Sequence, residues 1–335
     1  MRIAVIARDR DMSSWYRAYE PVEALTRRGH GAVATTGDGA PAAGTFDCDV
    51  ALISRWLGKG TEQLVRQLRR AGVAVVWQID DAVEHSTFVR RTPQRTRELT
   101  MQVLAMLRLV DVVVTTTEPL HAHFARRTST PIHVIDNFLG PQFGGSVARE
   151  PHPGLVLGWA AWVDHQADWR TLGLQKTIER LLEAHPGLRF ESLGPLDLRL
   201  PPARYTRTPP VKFEWLARRL ASFDVAIAPI ANTRFNAGRS SIKLKEYAAL
   251  GIPWLASPIG PYASLGEEQG GRLVADDRWH EELDAIVRDQ DARRALAKRG
   301  RAWAATQTID RNTAPWEEAF HHAIERAQQR RSGAA

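Results

Sequence analysis

Between Asn236 and Gly260 the chain reads NAGRSSIKLKEYAALGIPWLASPIG, a stretch that sets Lys243 and Glu246 among mostly apolar or small side chains. On a helix these two residues lie about 60° apart, while Ile242, Leu244, Tyr247, Ala248, Ala249 and Leu250 cover most of the remaining surface. A helix apolar nearly all round is buried, and charges buried with it are costly without partners. Ser240 or Ser241 stands where it can cap a helix beginning near Ile242. Gly238, Arg239 and the first amides of that helix then occupy the place of a bound phosphate, because a helix N-terminus offers unpaired N–H groups and positive potential. Arg239 and Lys243 would add formal charge, and Glu246, one turn in, could accept hydrogen bonds from ribose hydroxyls. The same spacing also suits a solvated Lys243–Glu246 pair, worth only about 0.2–0.5 kcal/mol.

Other chemistry-bearing residues fall at the ends of apolar runs. Asp80 and Asp81 follow VAVVWQI, where a carboxylate can orient or deprotonate an acceptor hydroxyl or simply cap the next segment. His85 lies four residues on. Asp9, Arg17, Arg55, Thr117 and Glu118 are at comparable positions. Trp159, Trp162 and Trp169 offer either a sugar-stacking wall or core packing. Asp47-Cys48-Asp49 has the form of a metal-binding Asp-x-Asp, but it introduces the apolar run VALIS and reads more simply as a cap on a strand start. The loop after the first strand, RDRDMSSW, lacks G-x-G-x-x-G, and neither a P-loop, H-E-x-x-H nor G-x-S-x-G occurs. Dinucleotide dehydrogenase and P-loop NTPase chemistry are therefore disfavoured, and no metal or cofactor is expected.

The elements that must position these groups alternate. RIAVIA, DVALISRW, VAVVWQI, DVVVTTTE and PIHVIDN read as strands, separated by helical YRAYEPVEALTRRGH, TEQLVRQLRRAG, TPQRTRELTMQVLAMLRLV and PLHAHFARRTS. Near-continuous Val/Ile/Ala runs between helices mark parallel strands covered on both faces. FLGPQFGGSVAREPHP then breaks the periodicity, and the pattern restarts with LVLGWA, WRTLGLQKTIERLLEAHPG, LRFESLG, VKFEWLARRLASF and DVAIAPI. The fold class is α/β, with two Rossmann-like domains facing across a cleft. Residues 1–140 form the N-terminal domain, 141–153 a linker and 154–310 the C-terminal domain, while 311–335 form a C-terminal helix and disordered tail. A length of 335 residues suits two such cores.

Composition bounds the rest. With 44% hydrophobic residues, a quarter charged, a single cysteine and no long apolar run, the chain reads as a cytoplasmic globular protein without an intrachain disulfide. The net charge of +7 comes almost wholly from arginine. That surface suits anionic partners, or it reflects evenly spread solvated charge.

The segment FDVAIAPIANTRFNAGRSSIKLKEYAALGIPWLASPIGPY resembles the donor-binding segment of GT-B glycosyltransferases, specifically the retaining family four (glycosyl transferases group 1). The resemblance extends to GWAAWVDHQADW, VVWQIDDAVE and DVVVTTTEPL. In that family a glutamate in a K-L-x-E-Y/A-x-A-x-G-x-P-V-x-A context binds the nucleotide ribose, and Glu246 stands there. The resemblance implies that Lys243 and the Gly238-Arg239-Ser240-Ser241 loop hold the diphosphate, and that Gly158 lies in the glycine-containing turn after the first donor-domain strand. Gly238 occupies the position of the family's second glutamate, and the usual Arg and Lys of the first donor-domain loop are not evident in GWAAWVDHQ. Sugar contacts then fall to Asn236, Ser240, His165 or backbone amides. The implied activity is transfer of a sugar from a nucleotide-diphosphate donor to a hydroxyl acceptor, with retention and without metal, residues 1–140 forming the acceptor-side domain and 154–310 the nucleotide-sugar donor domain. Arg239, Lys243, Asp80 and His85 are the candidate catalytic residues. The acceptor stays open among a glycan, lipid-linked sugar, small molecule, protein or DNA, and a sugar-nucleotide 2-epimerase or a non-catalytic nucleotide-sugar or nucleic-acid binding protein are the alternatives.

Overall fold

A computed structural model describes residues 1–7, 10–36, 46–85, 92–145 and 147–333. Asp9 and the last two alanines, where the sequence suggests a disordered end, lie outside the described residues. The chain divides into two compact units, one made of residues 1–138, 238–240 and 309–335 and the other of 139–237 and 241–308.

Among the described residues the first unit is built on six parallel strands in the order β2-β1-β3-β4-β5-β6. They are β1 (Arg2–Ala7), β2 (Gly31–Thr36), β3 (Val50–Ser54), β4 (Ala74–Gln78), β5 (Val112–Thr115) and β6 (Ile132–Val134). Helices α1 (Glu20–Arg27), α2 (Lys59–Arg70), α3 (Pro93–Leu109) and α4 (Glu118–Ala125) alternate with them. Period-two alternation sends Ile3, Val5 and Ala7 of β1 into one core and Ala4 and Ile6 into the other, so both faces are covered. Gly29 and Gly72 close helices at φ of 95° and 84°. Asp49 accepts the Arg2 amide at 2.7 Å and Asp47 pairs with the Arg2 guanidinium at 2.7 Å. Asp47-Cys48-Asp49 is thus tied to a strand start, as a cap.

The second unit repeats the plan with the order β12-β11-β10-β7-β8-β9, again all parallel. Its strands are β7 (Leu155–Ala160), β8 (Leu188–Leu193), β9 (Tyr205–Thr208), β10 (Val225–Ala228), β11 (Trp254–Ala256) and β12 (Gly271–Leu273). Its main helices are α5 (His165–Thr171), α6 (Leu174–Ala184), α7 (Phe213–Leu220), α8 (Ile242–Ala249), α9 (Trp279–Arg288) and α10 (Gln290–Ala304). Trp159 and Trp169 stack at 5.0 Å in its core, each almost wholly buried, whereas Trp162 is 53% exposed. Of the three tryptophans, two therefore pack the core. The last helix, α11 (Ala314–Ser332), returns to the first unit, where Trp316, Ala319, Phe320, Ala323 and Ala327 join the core.

Candidate active site

Helix α8 starts at Ile242, where the capping residues place it. The cap differs in detail: Ser241 makes no side-chain cap bond, and its carbonyl instead receives the amides of Leu244 and Lys245 at 3.0 and 3.3 Å. Glu246 is only 6% exposed, so a solvated surface pair with Lys243 is not what the helix carries. Lys243 donates from Nζ to the carbonyl of Ala160, the last residue of β7, at 2.5 Å. The Tyr247 hydroxyl, itself buried, accepts the Ala160 amide at 3.1 Å, and burial pushes its pKa well above the usual phenol value. Two side chains of α8 thus hold both backbone polar groups of one residue, Ala160, at a C-terminal strand end, where α/β sheets bind ligands. Lys245, which the sequence did not single out, is buried more deeply than Lys243, at 2% exposure. The helix therefore commits three charges to largely buried positions.

A second network fixes the loop that leads to α8. Asp168 on α5 is buried; one carboxylate oxygen meets His165 Nδ1 at 2.9 Å, and the other accepts Ala231 N–H at 3.0 Å and Asn236 Nδ2 at 2.8 Å. Asn236 Nδ2 also donates to the Ala231 carbonyl at 2.8 Å. His165 and Asn236, both expected as sugar contacts, are brought together here through Asp168, and their described bonds brace this loop. Gly260 fits close against it: a Cβ there would lie 2.9 Å from Asn236 O, and its φ of 56° favours glycine.

The expectation that Gly158 forms a turn around the donor needs correction. Gly158 lies inside β7, paired with Glu191 and Ala226, and a Cβ there would stand 2.0 Å from the Phe223 ring. Its missing side chain is space for an aromatic ring, so it serves packing.

Gly238, Arg239 and Ser240 group with the first unit, where Gly238 O accepts from Thr117 Oγ1 at 2.9 Å and Ser240 Oγ accepts from Asn137 Nδ2 at 2.8 Å. Arg239 is half-buried. In the same unit Arg17 is fully buried and donates to the carbonyls of Ile135, Asp136 and Thr115 and to Asn137 Oδ1. Burial lowers its pKa to about 10, against the opposing pull of Asp80 and Asp136. Arg55 adopts φ 52°, the one left-handed non-glycine conformation among the described residues, and places its guanidinium 3.2 Å from Asp80 and 3.9 Å from Asp81. Burial alone would raise the Asp80 pKa, but Arg55 and Arg17 hold it below the ordinary carboxylate value. Asp80 is therefore an ionised, arginine-braced carboxylate, better suited to orienting a hydroxyl than to taking its proton at neutral pH. His85 lies on a short turn, Val83–His85, with its ring 5.2 Å from that of His123. Glu118 is exposed.

Residues 170–316 match the family described as "Glycosyl transferase-like". Comparison with curated proteins finds no match. Among solved structures, HepE of Anabaena in complex with UDP and glucose is similar over 96% of this chain and 99% of its own, with 12% identity and a TM-score of 0.64. Sucrose-phosphate synthase from Thermosynechococcus elongatus is similar over 100% of both chains, with 16% identity and a TM-score of 0.63. TarM of S. aureus, in complex with UDP among other ligands, is similar over 81% of this chain, with 10% identity and a TM-score of 0.56, and this chain spans 55% of its length. The two parallel α/β units share the GT-B fold of these structures, and the residues that match the glycosyl transferase-like family include α8 and most of the second unit. No described helix is long and apolar enough to cross a membrane.

Proposed function

We propose that the protein transfers a sugar from a nucleotide-diphosphate donor to a hydroxyl acceptor in the cytoplasm, with retention and without a catalytic metal. The observation that carries this reading is α8: it buries Glu246 and ties Lys243 to the end of β7, immediately after the Gly238-Arg239-Ser240-Ser241 loop. Glu246 takes the ribose hydroxyls. Arg239, Lys243 and the first amides of α8 take the diphosphate, so that fixed positive groups stand where charge develops as the glycosidic bond breaks. With the leaving group stabilised and Asp80 held ionised, front-face substitution assisted by the departing phosphate is the step this arrangement supports. The complexes of HepE with UDP and glucose and of TarM with UDP make uridine nucleotides the first donors to try.

The test is a thermal-shift panel of UDP, GDP, ADP, CDP and dTDP on the wild type and on a Lys243→Ala, Glu246→Ala double variant. A ligand at a hundred times its Kd adds about 2.7 kcal/mol, or roughly 5 °C or more in Tm at this size. One diphosphate should shift the wild type and leave the variant unmoved; equal shifts, or none in either protein, would refute the reading. A protein from Listeria monocytogenes described as a "putative UDP-N-acetylglucosamine 2-epimerase" is also similar in fold, over 91% of this chain and 94% of its own, at 11% identity and a TM-score of 0.56. Incubation with donor alone distinguishes that activity, since an epimerase returns an isomerised sugar nucleotide without acceptor. NMR of the transfer product reports the anomeric configuration.

A further inference from the structure

Glu84, His85 and His123 form a cluster in the first unit that the glycosyl-transfer reading does not use. Their carboxylate oxygen and imidazole nitrogens all lie within 4.8 Å of one another. Glu84 and His85 sit on the short turn that follows β4, and His123 lies in the last turn of α4. The Glu84 side chain is 3% exposed. Its partners crowd one atom: His123 Nε2 approaches Oε1 at 2.8 Å and Arg127 Nη1 donates to the same Oε1 at 2.5 Å, while Oε2 is buried with no hydrogen-bond partner among the described residues. A bare carboxylate oxygen in a buried position is costly. A clamp built only to join Glu84 to α4 would spread its two donors over both oxygens.

We propose that Glu84, His85 and His123 bind one zinc ion, with Glu84 Oε2 and one nitrogen of each imidazole as ligands. Two imidazoles and a carboxylate select a borderline d-block cation over magnesium or calcium, which prefer all-oxygen sets. Zinc–nitrogen bonds of about 2.0–2.1 Å put tetrahedral ligands roughly 3.4 Å apart, so the cluster contracts by about 1 Å on binding, a shift that the half-buried His85 ring allows. His123 exchanges its Glu84 contact for the metal. Arg127 stays on Oε1 as the outer partner that orients the carboxylate. The ion fastens the segment following β4, which carries Asp80 and Asp81, to α4, and it takes no part in sugar transfer.

The experiment uses the untagged full-length chain, stripped with chelator and titrated with Zn2+ in equilibrium dialysis. Co2+ substitution, read by visible d–d absorption, serves as a second measurement. The expected result is one zinc per chain, with affinity at least tenfold weaker in both His85→Ala and His123→Ala. A His322→Ala control should retain wild-type affinity, since His133 and His322 form a separate pair with nitrogens 3.0 Å apart. Metal-free thermal melts establish that each variant is folded before its affinity is compared. Absence of zinc at stoichiometric concentration, wild-type affinity in both cluster variants, or loss of binding in His322→Ala alone would overturn the proposal. Donor binding by the Lys243 and Glu246 variants is a separate readout, so either reading can fail without the other.

Discussion

Asp168→Asn removes the charge at the centre of the network that positions the loop before α8 while keeping the side-chain shape. Three donors converge on the wild-type carboxylate at 2.8, 2.9 and 3.0 Å: Asn236 Nδ2, His165 Nδ1 and the Ala231 amide. An asparagine oxygen can serve one side, but its NH2 faces the donors on the other. Bonds to charged groups contribute about 1.5–3 kcal/mol each, and because the three share one carboxylate their losses do not add. Breaking a buried charge network typically costs about 3–5 kcal/mol. The low end of that range lowers Tm by roughly 6–12 °C for a unit of this size. Calorimetry on the wild type and variant measures this directly. If the variant remains folded at the assay temperature, KM for the donor should rise more than kcat falls, because Ala231 and Asn236 precede the loop proposed to hold the diphosphate and are not assigned to the reacting atoms. A Tm within 2 °C of wild type, or an unchanged donor KM, would refute the bracing role.

Gly158→Ala should destabilise the protein by about 1–3 kcal/mol through overpacking, and in a double-mutant cycle with Phe223→Ala the two losses should be less than additive, since the added methyl meets the Phe223 side chain at Cγ, Cδ1 and Cδ2. Lost donor binding at unchanged Tm would instead restore a donor-contact role for Gly158. Tyr247→Phe should cost about 1–3 kcal/mol in denaturant unfolding, because the Ala160 amide loses its buried acceptor; an unchanged midpoint would show that the bond is dispensable. Burial lifts the Glu20 pKa from 4.5 to about 7, with Glu23 raising it further and Arg27 opposing. The folded state therefore holds this proton more tightly than the unfolded state, so its contribution is lost as pH rises from 4.5 through 7, by up to about 3 kcal/mol. Urea unfolding of Glu20→Gln should lack that part of the pH slope and show a stability gain over wild type at pH 8; parallel pH profiles would contradict it.

The covered parallel strands were legible because their apolar runs are continuous; RIAVIA, for example, is β1 residue for residue. The strands β2 (GAVATT), β9 (YTRT) and β12 (GRL) were not, and all three are sheet edges. An edge strand is sheltered on fewer sides, so it needs fewer apolar residues and its sequence resembles a loop. The helix period also exposed the burial of Glu246 but passed over Lys245, because the period orders residues around an axis without saying which sectors other chain segments cover. Asp168 was illegible for a related reason. Its partners Ala231 and Asn236 lie 63 and 68 residues away in sequence, and only the register of β7 beside β10 brings α5 to that loop.

The two units use charge in different ways, and this difference supports assigning the donor to α8. In the first unit the carboxylate at a strand end, Asp80, is already answered by Arg55 and Arg17. In the second, the partner of Lys243 that closes the strand end is a neutral carbonyl, Ala160 O. An ammonium offers three donors, so the contact to the Ala160 carbonyl leaves it able to donate elsewhere as well. Under the proposed reading, Lys243 is thereby fixed at the C-terminal end of β7 before a diphosphate arrives, which is the electrostatic preorganisation that departure of a charged leaving group requires.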